Sequence, residues 1–176
     1  MTIERNHVYN MDCLDGLRDM LRGGVHVDCV ITDPPYLINY KTNNRADKSH
    51  KFCKPIQNDD NPQLIIDVIP LLYDVLKDNS PLYMFCGSDK VDFFKAEIEK
   101  YFTVKNIIVW DKGAPTMGDL GAQYGKNYEF IIYANKGRAP RLWTVCRDTA
   151  IYGNSTVYPK KNGYTKTKSR PTYYRA

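Results

Sequence analysis

Histidine, paired cysteine and long apolar runs are all scarce in this chain. Its three histidines (His7, His26, His50) are too scattered to share a metal ion. Its five cysteines (Cys13, Cys29, Cys53, Cys86, Cys146) include no C-x-x-C pair, so no zinc site is readable. No apolar run approaches the roughly 18 residues that a membrane-crossing helix needs. No charged leader with an apolar core opens the chain. A reduced, cytoplasmic protein without membrane association is therefore expected, with Cys13, Cys29 and Cys86 as small core residues because they sit in apolar runs. Acid is almost absent from the last stretch: between Lys136 and Ala176 the only carboxylate side chain is Asp148.

A length of 176 residues suits one domain with a real hydrophobic core. Hydrophobic residues at 43% and charged residues at 26% are ordinary for a soluble globular protein. The net charge of +5 is compatible with a polyanionic partner without establishing one. The excess is concentrated at the end, in Lys136, Arg138, Arg141, Arg147, Lys160, Lys161, Lys166, Lys168, Arg170 and Arg175. Trp143, Tyr152, Tyr158, Tyr164, Tyr173 and Tyr174 are interleaved with them. Basic groups with stacking rings make a nucleic-acid surface; the same composition also describes a solvated tail.

The elements alternate. Residues 7–10 read as a short strand and 12–23 as a helix with Leu14, Leu17 and Leu21 on one face. Residues 27–33 (VDCVITD) form a nearly continuous apolar strand of the kind buried on both faces. After a polar loop over 40–60 comes a helix over 61–79, with Asn61 as N-cap and Pro62 in its first turn. Pro70 inside it is expected to kink or divide the helix. Strands over 81–86, 105–112 and 128–137 and a capped helix over 88–102 complete the pattern. Such alternation predicts an α/β sheet between helices, with the last two strands as antiparallel neighbours at one edge.

Asp33-Pro34-Pro35-Tyr36 follows the apolar strand directly. In open α/β sheets, ligands bind beyond the carboxyl ends of the strands. Two adjacent prolines fix φ and withhold their N–H groups. What is left is a stiff turn offering the Asp33 carboxylate and the Pro34 carbonyl as acceptors, with the Tyr36 ring beside them. Two acceptors and a flat ring suit the exocyclic NH2 of a nucleobase. Accepting both of its hydrogens frees the nitrogen lone pair, and the ring stacks on the base. A rigid turn closing a strand is the alternative reading.

D-P-P-Y after a hydrophobic strand resembles motif IV of the S-adenosylmethionine-dependent DNA amino-methyltransferases, which modify N6 of adenine or N4 of cytosine. "NMDCLDGLRDML" followed by "VDCVITDPPY" is similar to the opening of the β-class enzymes. "PLYMFCG", "IIVWDKG" and "NYEFIIYANKG" then resemble their later motifs in order. The resemblance covers roughly residues 6–137. It implies a Rossmann-like methyltransferase sheet, here a partial one: the target-side half with a reversed β-hairpin at one edge. A catalytic core over 1–137 would be followed by a basic, aromatic-rich tail over 138–176.

The resemblance also implies roles. Asp33, Pro34, Pro35 and Tyr36 would be catalytic, and Asp33 in place of Ser leans toward adenine. Asp12 and Asp33 would lie near the cofactor S-adenosylmethionine, although Asp12 is equally readable as a helix N-cap. Double-stranded DNA would be contacted by Lys41, Arg45 and Lys48 of the polar loop and by Arg138, Arg141, Arg147, Lys160 and Lys161. The polar loop is otherwise simply solvated. Residues 113–127, rich in glycine, would border the flipped base or form a flexible connection, and Trp110 would serve the core or the base pocket.

One family element has no counterpart. The aromatic-x-Gly-x-Gly turn that lets backbone approach the cofactor is nowhere in the chain. The expectation is a C-terminally incomplete methyltransferase, as a shortened gene product, in a homodimer or with a complementing chain. The alternatives are a non-catalytic nucleic-acid binder and an N4-cytosine or RNA methyltransferase with a rearranged cofactor site. In the first two cases S-adenosylmethionine should bind the isolated chain more weakly than about 1 mM.

Overall fold

Asp12 opens the first helix by capping it. In the computed structural model, which describes residues 3–39, 56–113 and 125–138, its Oδ1 accepts from the backbone N–H of Leu14 at 2.8 Å and of Asp15 at 3.4 Å. Helix α1 then runs Cys13–Arg22 and stops at Gly23-Gly24, where Gly24 adopts a φ of 66°. The strand β1 is short, Val30–Thr32, and Val27 adds only a single bridge to Leu76. Residues 7–10 form no strand, and Val8 is 93% exposed.

Helix α2, Gln63–Val75, starts where the Asn61 side chain accepts from the Gln63 N–H at 2.9 Å. Pro70 neither divides it nor ends it. The carbonyl that loses its partner belongs to Ile66, which is exposed, so water can replace the missing bond. Next come β2 (Pro81–Cys86), α3 (Val91–Glu99), β3 (Thr103–Asp111) and β4 (Tyr128–Asn135). Helix α3 is shorter than the expected 88–102 and has no side-chain cap.

The sheet order is β1-β2-β4-β3. β1 pairs with β2 in parallel, whereas β4 is antiparallel to both β2 and β3. The reversed hairpin at one edge is therefore present, and its second strand inserts into the interior of the sheet.

Alternation along β2 sends Leu82, Met84 and Cys86 to one face, where Ile132 and Ala134 of β4 join them. Ile65, Ile69 and Leu72 of α2 and Phe94 and Ile98 of α3 cover that face. Full burial of such side chains contributes about 1.5–3 kcal/mol each. Rings line the other face, with Tyr83 stacked on Tyr133 at 5.0 Å and Phe85 edge-on to Trp110 at 5.9 Å.

Two expectations are corrected. Cys86 is buried, but Cys13 and Cys29 are exposed. β1 is not buried on both faces either, since Ile31 is 71% exposed. The physical reason is that β1 is the terminal strand among the described residues, so apolar content alone does not enclose it. No described helix is long and apolar enough to cross a membrane. The chain divides between Leu142 and Trp143, and residues 143–176 lie outside the described residues.

Candidate active site

Register brings four segments to one end of the sheet. β1 and β2 are parallel, with Thr32 opposite Met84, so Asp33-Pro34-Pro35-Tyr36 and Gly87-Ser88-Asp89 emerge side by side. β4 runs the other way and begins there, with Phe130 opposite Cys86. β3 ends there, with Trp110 opposite Glu129.

Asp33 is exposed, and Pro34, Pro35 and Tyr36 are half-buried. The Tyr36 ring lies against the backbone of Gly87: a Cβ at position 87 would stand 3.4 Å from Tyr36 Cδ2 and 3.8 Å from its Cβ and Cγ. The Tyr36 hydroxyl donates to Glu129 Oε2 across a long 3.4 Å. Burial pushes the Tyr36 pKa upward, reinforced by hydrogen bonding to and the charge of Asp33 and then by Glu129. The phenol therefore stays protonated, in a cavity whose wall also carries the Asp33 and Glu129 carboxylates. Glu129 is in turn ion-paired through Oε1 with Lys112, whose ammonium also sits 5.3 Å from the Trp110 ring centre.

The chain beyond the corner is held in an unusual conformation. Leu37 has a φ of 60° and Asn39 of 49°, in the left-handed region that a leucine rarely occupies. Buried Asp59 compensates: its Oδ1 accepts from the Leu37 N–H at 3.0 Å and its carbonyl from the Asn39 N–H at 3.1 Å. Local strain of this sort costs about 1–3 kcal/mol and is typical of functional corners.

Two cavities share Asp33, Pro34 and Pro35. One, of about 410 Å³, is also lined by Tyr36, Ile38, Ile56, Asp59 and Glu129. The other, of about 500 Å³, is walled by Cys13, Leu17 and Met20 of α1, by β1, and by Leu64, Val68, Leu72 and Val75 of α2. The first offers the carboxylates of Asp33, Asp59 and Glu129 and a ring edge; the second adds Thr32, Cys13 and Cys29 to Asp33 among mainly aliphatic side chains. A flat heterocycle presenting N–H donors suits the first.

The four residues of the motif are thus brought together at an open corner. Asp12 is committed to capping α1 and lines neither cavity. Arg138 follows β4, whose last residue pairs with the first of β2, so it lies at the opposite end of the sheet from Asp33. Lys41, Arg45, Lys48, Arg141, Arg147, Lys160 and Lys161 lie outside the described residues. Lys136, which heads the basic stretch, points inward: its ammonium donates to the carbonyls of Tyr73 at 2.9 Å and Leu76 at 2.8 Å. Glu129, Lys112, Gly87 and Asp59 were not singled out by sequence reasoning. A glutamate flanked by Tyr128 and Phe130 inside an apolar strand was the one local signal.

At the same end, Lys126 ties the segment before β4 to Asp89 through both carboxylate oxygens at 2.6 Å. Hydrogen bonding to that ammonium holds the Asp89 carboxyl below its ordinary range.

A family of DNA methylases, N6_N4_Mtase, matches residues 27–174. Among solved structures, the chain is similar to the M1.HpyAVI–SAM complex, with 20% identity and a TM-score of 0.59 over 82% of this chain and 62% of that one. A second M1.HpyAVI structure aligns with 23% identity and a TM-score of 0.52, over 74% of this chain and 55% of that one. At these identities the likeness concerns the fold. The chain spans about three-fifths of the length of M1.HpyAVI. No curated protein matches it in sequence.

Proposed function

The chain belongs to the DNA methylase family, and from that premise we propose that it grips an extruded adenine of double-stranded DNA for methyl transfer from S-adenosylmethionine to the exocyclic amine. The observation that carries this reading is the open corner itself: an exposed carboxylate and a phenol ring on the wall of one cavity, stiffened by two prolines. Asp33 and the Pro34 carbonyl would each accept a hydrogen from the amine, turning its lone pair toward the methyl donor. The Tyr36 ring would stack on the base, offsetting by about 1–3 kcal/mol the cost of unstacking it. Asp in the first position favours adenine over cytosine in this reading.

The cofactor fits the described residues only in part. S-adenosylmethionine carries a zwitterionic amino acid, a sulfonium and two ribose hydroxyls. The larger of the two cavities offers them Asp33 and Thr32 and the thiols of Cys13 and Cys29, and the Asp12 carboxylate already caps α1. Among the described residues the one glycine between a strand and a helix is Gly87, between β2 and α3; it lies against Tyr36 and does not line this cavity. The cofactor's remaining contacts would come from sequence outside the described residues, from a second copy, or from a complementing chain. The division into a core over 1–137 and a basic tail over 138–176 belongs to this proposal, as do the DNA contacts of the tail and a restriction-modification setting in the cytoplasm.

Transfer of radiolabelled methyl from S-adenosylmethionine to DNA, followed by nuclease digestion and chromatography, tests the reading. Label is expected in N6-methyladenine and should vanish in Asp33→Ala, while DNA affinity stays within severalfold. Label in N4-methylcytosine would reassign the target. Persistence of transfer in Asp33→Ala would overturn the role of the corner. DNA binding with no transfer would favour the non-catalytic alternative.

A further inference from the structure

The Tyr36 hydroxyl donates to Glu129, brought in from β4, two strands away from β1 in the sheet. Asp33, the carboxylate assigned above to the target amine, lies on the wall of the same cavity and is the other acceptor there for a phenol. A phenol has a single proton to donate. Turned to Asp33, it would compete with the amine for that carboxylate and weaken its hold on the amine's hydrogen.

We propose that Glu129 is a positioning residue that draws the Tyr36 hydroxyl away from Asp33, so that the carboxylate stays open to the amine and the ring stays at the angle on which a base stacks. This rests on the base-gripping reading of the corner and adds to it a residue the motif does not contain.

Three observations support the assignment. The Glu129 carboxylate is divided: Oε1 pairs with Lys112 and Oε2 faces Tyr36. The ammonium fixes the carboxylate's rotation and leaves one oxygen free for the phenol. Second, the ring has little freedom on its inner side, where it lies on Gly87 with 3.4 Å to the position of a Cβ. Moving the hydroxyl therefore tilts the ring over a fixed support. Third, Glu129 and Tyr36 line the same cavity as Asp33. The 3.4 Å separation is at the long end for a hydrogen bond, which leaves room for the pair to tighten.

The test uses the full chain with adenosine as the probe, read by NMR of 13C-labelled tyrosine rings. In the wild type, adenosine should shift the Tyr36 ring signals. Glu129→Ala should weaken adenosine binding about fivefold to tenfold, the value of one hydrogen bond, and Glu129→Gln, which keeps an acceptor, by less than about twofold. Adding Tyr36→Phe to Glu129→Ala should bring binding back to the level of Tyr36→Phe alone, because no hydroxyl remains to block Asp33. A purely structural glutamate would show no such rescue.

If Glu129→Ala binds like the wild type while Asp33→Ala does not, the inference fails and the base-gripping reading survives. If Asp33→Ala binds like the wild type, or if adenosine leaves Tyr36 unmoved, both fall. If Glu129→Ala does not fold, Lys112→Met takes its place: it leaves Glu129 in position without its clamp. Binding weakened in Lys112→Met and recovered with Tyr36→Phe supports the inference, and unchanged binding overturns it.

Discussion

Replacing Lys136 with methionine should destabilise the protein and leave its DNA affinity alone. The ammonium donates to two carbonyls at the C-terminal end of α2, those of Tyr73 and Leu76, at 2.9 and 2.8 Å. It also lies 4.5 Å from the centre of the Tyr73 ring, and the side chain is only 15% exposed. Terminal helix carbonyls have no partner within the helix, and a cation there also meets the negative end of the helix dipole. Each hydrogen bond from a charged donor contributes about 1.5–3 kcal/mol, and a cation over a ring about 0.5–1 kcal/mol more. Water recovers part of this once the lysine is gone, so a net loss of about 2–4 kcal/mol is expected. The neighbouring Asp78, 3.9 Å away and 90% exposed, adds little. At about 2–4 °C per kcal/mol for a chain of this size, Tm should fall by about 5–15 °C. Urea unfolding followed by circular dichroism measures the change, and retention on DNA at two ionic strengths measures affinity. A stability change below about 0.5 kcal/mol, within the range of ordinary surface substitutions, would refute the argument. So would a selective loss of DNA binding, which would return Lys136 to the basic surface.

Two other outcomes follow from titration shifts. Tyr36 should keep its proton at pH values where exposed tyrosines ionise, because burial and the Asp33 and Glu129 carboxylates raise its pKa. Its contribution is complete below the ordinary phenol pKa of about 10 and is lost as pH rises beyond it, since the unfolded chain releases that proton first. Tyr36→Phe should therefore make the alkaline fall in stability shallower in urea titrations. It should not abolish it, because burial also raises Tyr83 and Tyr133; an unchanged slope would contradict the assignment. Cys86, buried in the core and pushed up to about 12, should resist iodoacetamide at pH 8 until the protein unfolds, while Cys13 and Cys29 are labelled first. Mass spectrometry of peptides from the native protein decides this, and early labelling of Cys86 would place the core elsewhere.

Much of the architecture was legible because local signals and burial agree. β2 spans the expected 81–86, bounded by Ser80 and Gly87, and both strands of the antiparallel hairpin lie within two residues of expectation. The Asp12 and Asn61 caps were likewise readable, because a cap needs only its own first turn. Residues 7–10 have strand-like composition but no partner ladder among the described residues, and a strand is a property of its pair. β1 contracted to three residues for a related reason, having a neighbour on one side only among the described residues. The D-P-P-Y corner was readable because its stiffness is covalent. Glu129 and Lys112 were not, because their pairing depends on the register that sets Trp110 opposite Glu129. Lys136 was misleading: in the sequence it begins a basic stretch, and only the packing of α2 against the end of β4 turns it inward.

The position of β4 constrains how the molecule is born. Among the described strands it is the last to be synthesised, yet it lies between β2 and β3. Until residues 128–135 leave the ribosome, β3 has no rung to join and β2 is satisfied along one edge only. The nascent chain must keep two sticky ribbons apart while it waits for the piece that separates them. Its most exposed moment therefore comes just before β4 is made, and chaperones would meet it there.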